Sequence, residues 1–158
     1  MDSGSRDTLR ALLMSRSVAA LGTLHDGAPW VSMVPFALLP DPGLIVVLVS
    51  GLASHTKHMR EDGHVSLLVT ESEDGGKSAQ ALSRVTVQGR ATEVGDDEAL
   101  QTGARAAYLA KFPHATVMLD LPDFTFFVIA PTALRLVGGF ARAVSLEPGA
   151  VGEACRTT

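Results

Sequence analysis

Hydroxyl and cationic side chains crowd a short segment between two apolar runs, in the stretch LVSGLASHTKHMREDGHVSLLV. The chain leaves an apolar, β-branched run over residues 44–49, bends at Gly51 and then reaches Ser54, His55, Thr56 and Lys57. The first turn of a helix offers free N–H groups and a partial positive charge. Hydroxyls and an ammonium beside that turn complete a site for an anion. Residues 50–57, which we call the elbow, are therefore predicted to bind a phosphate.

A second interpretation of the elbow requires no ligand. Ser54 is placed as the N-cap of a helix over residues 54–62, and Lys57 and Arg60 then extend into solvent from its exposed side. The residue types alone leave both interpretations open.

Other kinds of catalytic or binding site lack their motifs. The sequence contains no GxxxxGK[ST] loop, no GxGxxG after a strand, no GxSxG and no HExxH. His55 and His58 stand three residues apart, but no carboxylate or thiol follows at ligand spacing, so we expect no metal site. The single cysteine, Cys155, cannot form an internal disulfide and is interpreted as incidental.

Composition restricts the class of protein. A chain of 158 residues suits one domain, and its net charge of −4 argues against a nucleic-acid surface. The longest apolar runs are too short to span a bilayer. The N-terminus begins acidic and has no long apolar segment, so we expect no signal peptide and a cytoplasmic location.

The elements that position the elbow are mostly strands. The patterns predict a helix over residues 7–16, a further helix over 95–112 and about seven strands joined as hairpins, with 124–130 and 133–137 as the last two. Pro35 lies inside the predicted strand 30–39 and indicates an edge or an opening in the sheet. Consecutive hairpins favour an antiparallel barrel, mainly β with a few helices, over a doubly wound parallel sheet. We expect one domain over residues 1–146 and a flexible tail over 147–158.

Several segments, taken together in order, resemble a known family. These segments are VSMVPFAL, the elbow stretch itself, RVTVQGRATEV, and AYLAKFPHA followed by DFTFFVIAPTALRLVGGFARA. They are similar to the FMN-binding split β-barrel proteins, the relatives of pyridoxamine 5′-phosphate oxidase, and most of all to the HugZ-type heme-utilisation branch. The resemblance covers roughly residues 8–146.

The resemblance implies a homodimer with FMN in a groove between the subunits. By position, the elbow residues Ser54, His55, Thr56 and Lys57 surround the FMN phosphate. The flavin ring and ribityl chain are implied to lie along Met33, Val34, Val49 and Ser50. Arg84 falls where family members place a polar residue near the flavin, and it faces outward in the alternation of residues 84–94.

The sequence also departs from the family. His58 stands where an asparagine is common, and the chain ends soon after GGFARA, so we expect the additional C-terminal domain of the heme-degrading relatives to be missing. The tail has no match to the residues that hold pyridoxine phosphate in the vitamin-oxidising members. The resulting prediction is an FMN-dependent oxidoreductase of unknown substrate, with unassigned catalytic residues. The alternatives are a flavin- or heme-binding protein without turnover and a heme-degrading enzyme that acts on heme as its substrate.

Overall fold

The structure is a computed structural model that describes residues 1–74, 76–139 and 142–156. Eight strands and five helices lie within these ranges. The strands are β1 (Val18–His25), β2 (Ala28–Pro35), β3 (Ala37–Leu39), β4 (Leu44–Ser50), β5 (His64–Thr70), β6 (Arg84–Glu93), β7 (Phe124–Val137) and β8 (Ala143–Leu146). The helices are α1 (Ser3–Ser15), α2 (Ser54–Glu61), α3 (Glu98–Lys111), α4 (Thr116–Leu119) and α5 (Ala150–Cys155).

The strands form a single antiparallel sheet in the order β2-β1-β5-β6-β7-β4-β3, and β8 pairs with β7. The two outermost strands of this order, β2 and β3, are separated in the chain by Phe36 alone. A sheet whose two ends are one residue apart has to curl back on itself, so the strands enclose a barrel that is open between β2 and β3. Pro35 ends β2 at this opening, as its missing N–H predicts. The predicted mainly β, antiparallel split-barrel fold is confirmed.

Alternating side chains fill the barrel. In β6, Val85, Val87, Gly89 and Ala91 are buried while the residues that alternate with them face outward, as the sequence pattern predicts. A second apolar cluster forms outside the barrel, where Tyr108 of α3 packs against Phe126 of β7 with ring centroids 5.8 Å apart. The sheet is thus covered by α3 on one side and leaves other parts of its outer surface uncovered.

Two of the predicted strand assignments differ from the structure. The strand expected over residues 30–39 is two strands, because the chain turns at Phe36 to cross the opening. The two strands expected over 124–130 and 133–137 are one strand, β7. The register with β6 shifts between Gln88 and Gly89, so Pro131, which lacks an N–H, is accommodated at a bulge rather than ending the strand.

The predicted flexible tail is wrong for residues 150–155, which form helix α5 against α1. Ala150, Val151 and Ala154 are buried in the main core. The Arg10 side chain of α1 donates to the carbonyls of Ala154 at 2.8 Å and Cys155 at 3.3 Å. The composition of the tail is misleading because its small side chains permit close packing. Residues 157 and 158 of the predicted tail lie outside the described residues.

Candidate functional site

The elbow begins where β4 ends, and two of its hydroxyls are already engaged within the protein. The Ser50 hydroxyl donates to a carboxylate oxygen of Asp123 at 2.8 Å and accepts from the backbone N–H of Leu52 at 3.1 Å. Thr56 is fully buried, and its hydroxyl donates to the Ser50 carbonyl at 2.6 Å. Both side chains therefore fix the direction in which α2 leaves the strand.

The first turn of α2 lacks a side-chain cap. Its N-cap is Ala53, not the predicted Ser54, which is the first helical residue. An alanine side chain cannot accept a hydrogen bond, so the first N–H groups of the helix stay open to a ligand. Ser54 and Lys57 are exposed beside this turn. The N-terminus of α2 therefore has the donors and the charge that an anion requires.

A group of histidines joins α2 to the first two strands. The His55 Nδ1 lies 3.0 Å from the Ser32 hydroxyl, and the buried His58 has its Nδ1 2.9 Å from the Thr23 hydroxyl. The His25 ring stacks on His58 at a centroid distance of 4.9 Å. Burial lowers the pKa of His55, and the neighbouring His58 lowers it further. His55 is thus biased toward its neutral form and serves as a hydrogen-bonding partner between α2 and β2.

The outer surface of β1, β2 and β5 carries an exposed apolar face. Met33 of β2 is aligned with Ala20 of β1, which is aligned with Leu68 of β5, so these residues form one row across three strands. Met33 is 63% exposed, and Val31, on the same side of β2, is 70% exposed. We call Val18, Val31, Met33 and Leu68 the outer face. Ser32, the partner of His55, lies between Val31 and Met33 in β2, but its side chain points to the opposite side of the strand from theirs.

The remaining predicted site residues lie elsewhere. Val34 and Val49 are buried in the barrel core and their side chains face away from solvent. Arg84 starts β6, while Glu93 ends it and forms a bidentate ion pair with Arg60 of α2 at 2.8 and 2.7 Å. A ten-residue strand rises about 30 Å. Arg84 is therefore far from the elbow of its own chain.

Sequence reasoning missed the partners that hold the elbow in place. Ser32, Thr23 and Asp123 lie far from α2 in the sequence and no motif marks them. The one available signal was His58 at a position where the family commonly has asparagine. In residues 1–74, 76–139 and 142–156, no three His, Cys, Asp or Glu side chains are grouped closely enough to hold a metal ion. Over the same ranges, no helix has the length and apolar character needed to cross a bilayer.

Comparison with known proteins identifies the family. Residues 5–138 match the family model described as pyridoxamine 5′-phosphate oxidase. The chain belongs to the pyridoxamine 5′-phosphate oxidase family. The predicted resemblance is thereby confirmed, and no match is found among curated proteins.

The chain is also similar to solved structures of heme-binding and flavin-binding proteins. A heme-binding protein from Mycobacterium smegmatis is 30% identical with a TM-score of 0.84, covering 97% of this chain and 62% of its own. The heme storage protein HutZ from Vibrio cholerae is 27% identical with a TM-score of 0.72, covering 84% and 92%. A FAD-binding protein from Mesorhizobium loti shares the fold at 21% identity and a TM-score of 0.62, covering 78% and 86%. The chain thus spans about three fifths of the length of the mycobacterial protein.

Proposed function

We propose that this member of the pyridoxamine 5′-phosphate oxidase family binds FMN and acts as an FMN-dependent oxidoreductase. The observation that carries the proposal is the uncapped first turn of α2, with Lys57 and Ser54 exposed beside it. The exposed apolar outer face, on the first strands of the sheet, is a second supporting observation. A phosphate monoester suits the first feature and a planar ring suits the second.

The residues around the elbow fit FMN, and different residues would contact its phosphate and its ring. Ser54, Lys57 and the first N–H groups of α2 hold the phosphate. Ser50 and Thr56 keep those donors in place from beneath, and His55 ties them to β2 through Ser32. Met33 and Val31 provide the apolar surface that excludes water from one side of the ring. Val34 and Val49 contribute through their backbone, since their side chains are in the core.

FMN supplies hydride and single-electron transfer when bound, and the protein supplies its binding and orientation. Among the described residues near the elbow, the histidines and Asp123 are candidates for moving a proton.

We propose that the site is completed by a second copy of the chain. The outer face is a contiguous apolar surface of a kind that soluble monomers rarely leave open. Arg84 is about 30 Å from the elbow of its own chain, along the length of β6. Pairing of two outer faces would cover the flavin and allow Arg84 to approach the flavin of the partner.

The replacement Lys57→Ala tests the phosphate site. A hydrogen bond to a charged group contributes about 1.5–3 kcal/mol, so FMN affinity should fall about tenfold or more. Fluorescence quenching on titration with FMN measures this. Lys77→Ala is the matched control, since Lys77 is an exposed lysine paired with Glu71 at 2.6 Å. Equal affinity in both variants contradicts the assignment. Thr56 is unsuitable for this test because it is buried.

Heme binding without turnover is the second candidate. It is favoured by the likeness to the mycobacterial and Vibrio proteins at 30% and 27% identity. The absorption spectrum of the purified protein separates the two candidates, because flavin and heme absorb differently. Flavin bands support the first candidate, and a Soret band alone supports the second. Loss of the Soret band with a reductant present would instead indicate heme degradation.

A turnover measurement distinguishes a catalytic flavoprotein from a protein that only carries its cofactor. FMN reduced on the protein by a nicotinamide donor should pass its electrons to an added acceptor over many turnovers. Reduction followed by no turnover with any acceptor identifies a carrier.

A further inference from the structure

A cavity lies between α1, β3, α3 and α5. Its volume is about 380 Å³. Small-molecule sites usually measure about 300–1,000 Å³, so this cavity suits a small ligand. None of the four elements around it belongs to the elbow or the outer face.

The walls of the cavity are apolar. Leu13 of α1 is fully buried at its base, and Met14 is 53% exposed at its mouth. Leu38 of β3 lines a third side. On α3, Ala107 and Ala110 face the space. The cavity exists because α3 presents these short side chains where longer ones would fill it.

One cation enters this apolar cavity. The Lys111 ammonium donates to the Arg16 carbonyl at 2.6 Å and lies 4.0 Å from the centroid of the Phe36 ring. An ammonium has three donors, and the carbonyl takes one of them. In the part of the chain that the structure describes, no carboxylate lies within 4.0 Å of this nitrogen. Burial lowers the pKa of Lys111 to about 8, so the protonated side chain lacks the solvation it has in water.

We propose that this cavity binds a small apolar monocarboxylate, with the carboxylate on the Lys111 ammonium and the hydrocarbon part against Leu13, Leu38 and Ala107. Charge complementarity selects the acid, because a carboxylate accepts the two remaining ammonium donors and neutralises the charge in an apolar setting. Arg10, which lies beside Cys155 at the end of α5, adds to the positive potential.

Titration with octanoate and with octanamide tests whether binding requires a negative charge on the ligand. The two probes share the hydrocarbon part, and only octanoate is an anion, so octanoate should bind about tenfold more tightly. Calorimetry gives the affinities, and amide chemical shifts should change in α1, α3 and α5. Equal affinity for the two probes, no binding of either, or shifts confined to the outer face overturns the proposal.

Two variants locate the site. Lys111→Met should remove the preference for octanoate over octanamide while keeping the apolar walls. Ala107→Leu should weaken the binding of both probes, because the larger side chain fills the cavity while Lys111 stays in place. Since Lys111→Met also removes the bond to Arg16, Lys111→Arg is the companion variant and should retain the preference. A preference that persists in Lys111→Met overturns the proposal, as does unaltered binding in Ala107→Leu.

Dependence on pH supplies an independent readout. Octanoate stays charged above neutral pH, so its affinity should fall as pH rises through the pKa of Lys111 near 8. Cys155, whose pKa burial raises, lies near Lys111, and Arg10 and Arg156 lie near Cys155. Cys155→Ser removes the thiol titration and should leave the fall in place. Constant affinity from pH 7 to about pH 10 overturns the assignment to Lys111.

Discussion

Side chains of the same chemical type have different tasks within the elbow. The Ser50 hydroxyl donates to Asp123 and the Thr56 hydroxyl donates to a backbone carbonyl. Ser54 and Lys57, by contrast, extend into solvent. The difference follows from α2 geometry, because Thr56 lies on the face that packs against the barrel. Substitutions of the first pair should change stability, and substitutions of the second pair should change ligand affinity.

Asp123 is an acid at the rim of a predicted phosphate site. Its carboxylate accepts from Ser50, so its charge lies beside the elbow and opposes a bound phosphate. Asp123→Asn keeps an acceptor for Ser50 and removes the charge, so FMN should bind several-fold more tightly at low salt. FMN titrations at low and high salt measure this, since salt screens the repulsion. Asp120→Asn is the matched control, an exposed acid at the end of α4.

Weaker FMN binding in Asp123→Asn, with Asp120→Asn unchanged, would show that the carboxylate supports the site instead of opposing it. That result would assign Asp123 to the ordering of the elbow.

At the residue scale, the sequence shows which side-chain types are present but not the direction in which each one points. The sequence located the hydroxyls and the lysine of the elbow, but no local pattern shows that Thr56 is buried or that Asp123 reaches Ser50. These contacts depend on chain segments 6 and 73 residues away. Resemblance assigned Val34 and Val49 to the cofactor site, and the period of their strands points their side chains into the core.

At the scale of elements, α5 depends on two glycines that allow backbones to meet. A Cβ on Gly152 would lie 3.0 Å from the Pro40 carbonyl oxygen and 3.4 Å from the Gly43 Cα. Gly43 itself has φ of +102°, which a side chain rarely adopts. The turn before β4 and helix α5 therefore pack through their main chains.

Gly152→Ala should lower the free energy of unfolding by about 1–3 kcal/mol, because backbone atoms have to shift to make room. Urea unfolding measures the change. Gly149→Ala is the matched control, since a Cβ there meets nothing within 4 Å. Equal stabilities of the two variants would contradict the close packing of α5.

The hydrophobic patterns of the sequence predict most of the helices and strands, but they do not predict where those elements begin and end. The alternation of β6 and the apolar run of β4 identify their strands without help from tertiary structure. Helix α5 has only six residues and small side chains, so its helicity comes from packing against α1 rather than from its own sequence. Pro131 suggested a strand end because the bulge opposite Gly89 is not visible in a single sequence.

At the scale of the whole molecule, a substitution in the outer face tests whether two chains associate through it. Met33→Glu places a charge on a side chain that is 63% exposed, so the folded single chain should tolerate it. A dimer that buries this face should dissociate, because an unpaired buried charge is costly. Sedimentation at micromolar concentration should then show a monomer, with weaker FMN binding.

Val117→Glu on α4 is the control for this change, since Val117 is 70% exposed and lies outside the outer face. Dissociation by both variants, or by neither, would contradict an interface formed by the outer face.

The contact between α1 and α5 also governs the order of events during synthesis. Arg10 bonds to the carbonyl of Ala154, 144 positions later. At about 5–20 residues per second, the ribosome needs on the order of ten seconds to cover that interval. Until then the contact between α1 and α5 is missing, so Leu9, Leu12 and Leu13 lack part of their native packing. Helix α5 completes this packing when it emerges.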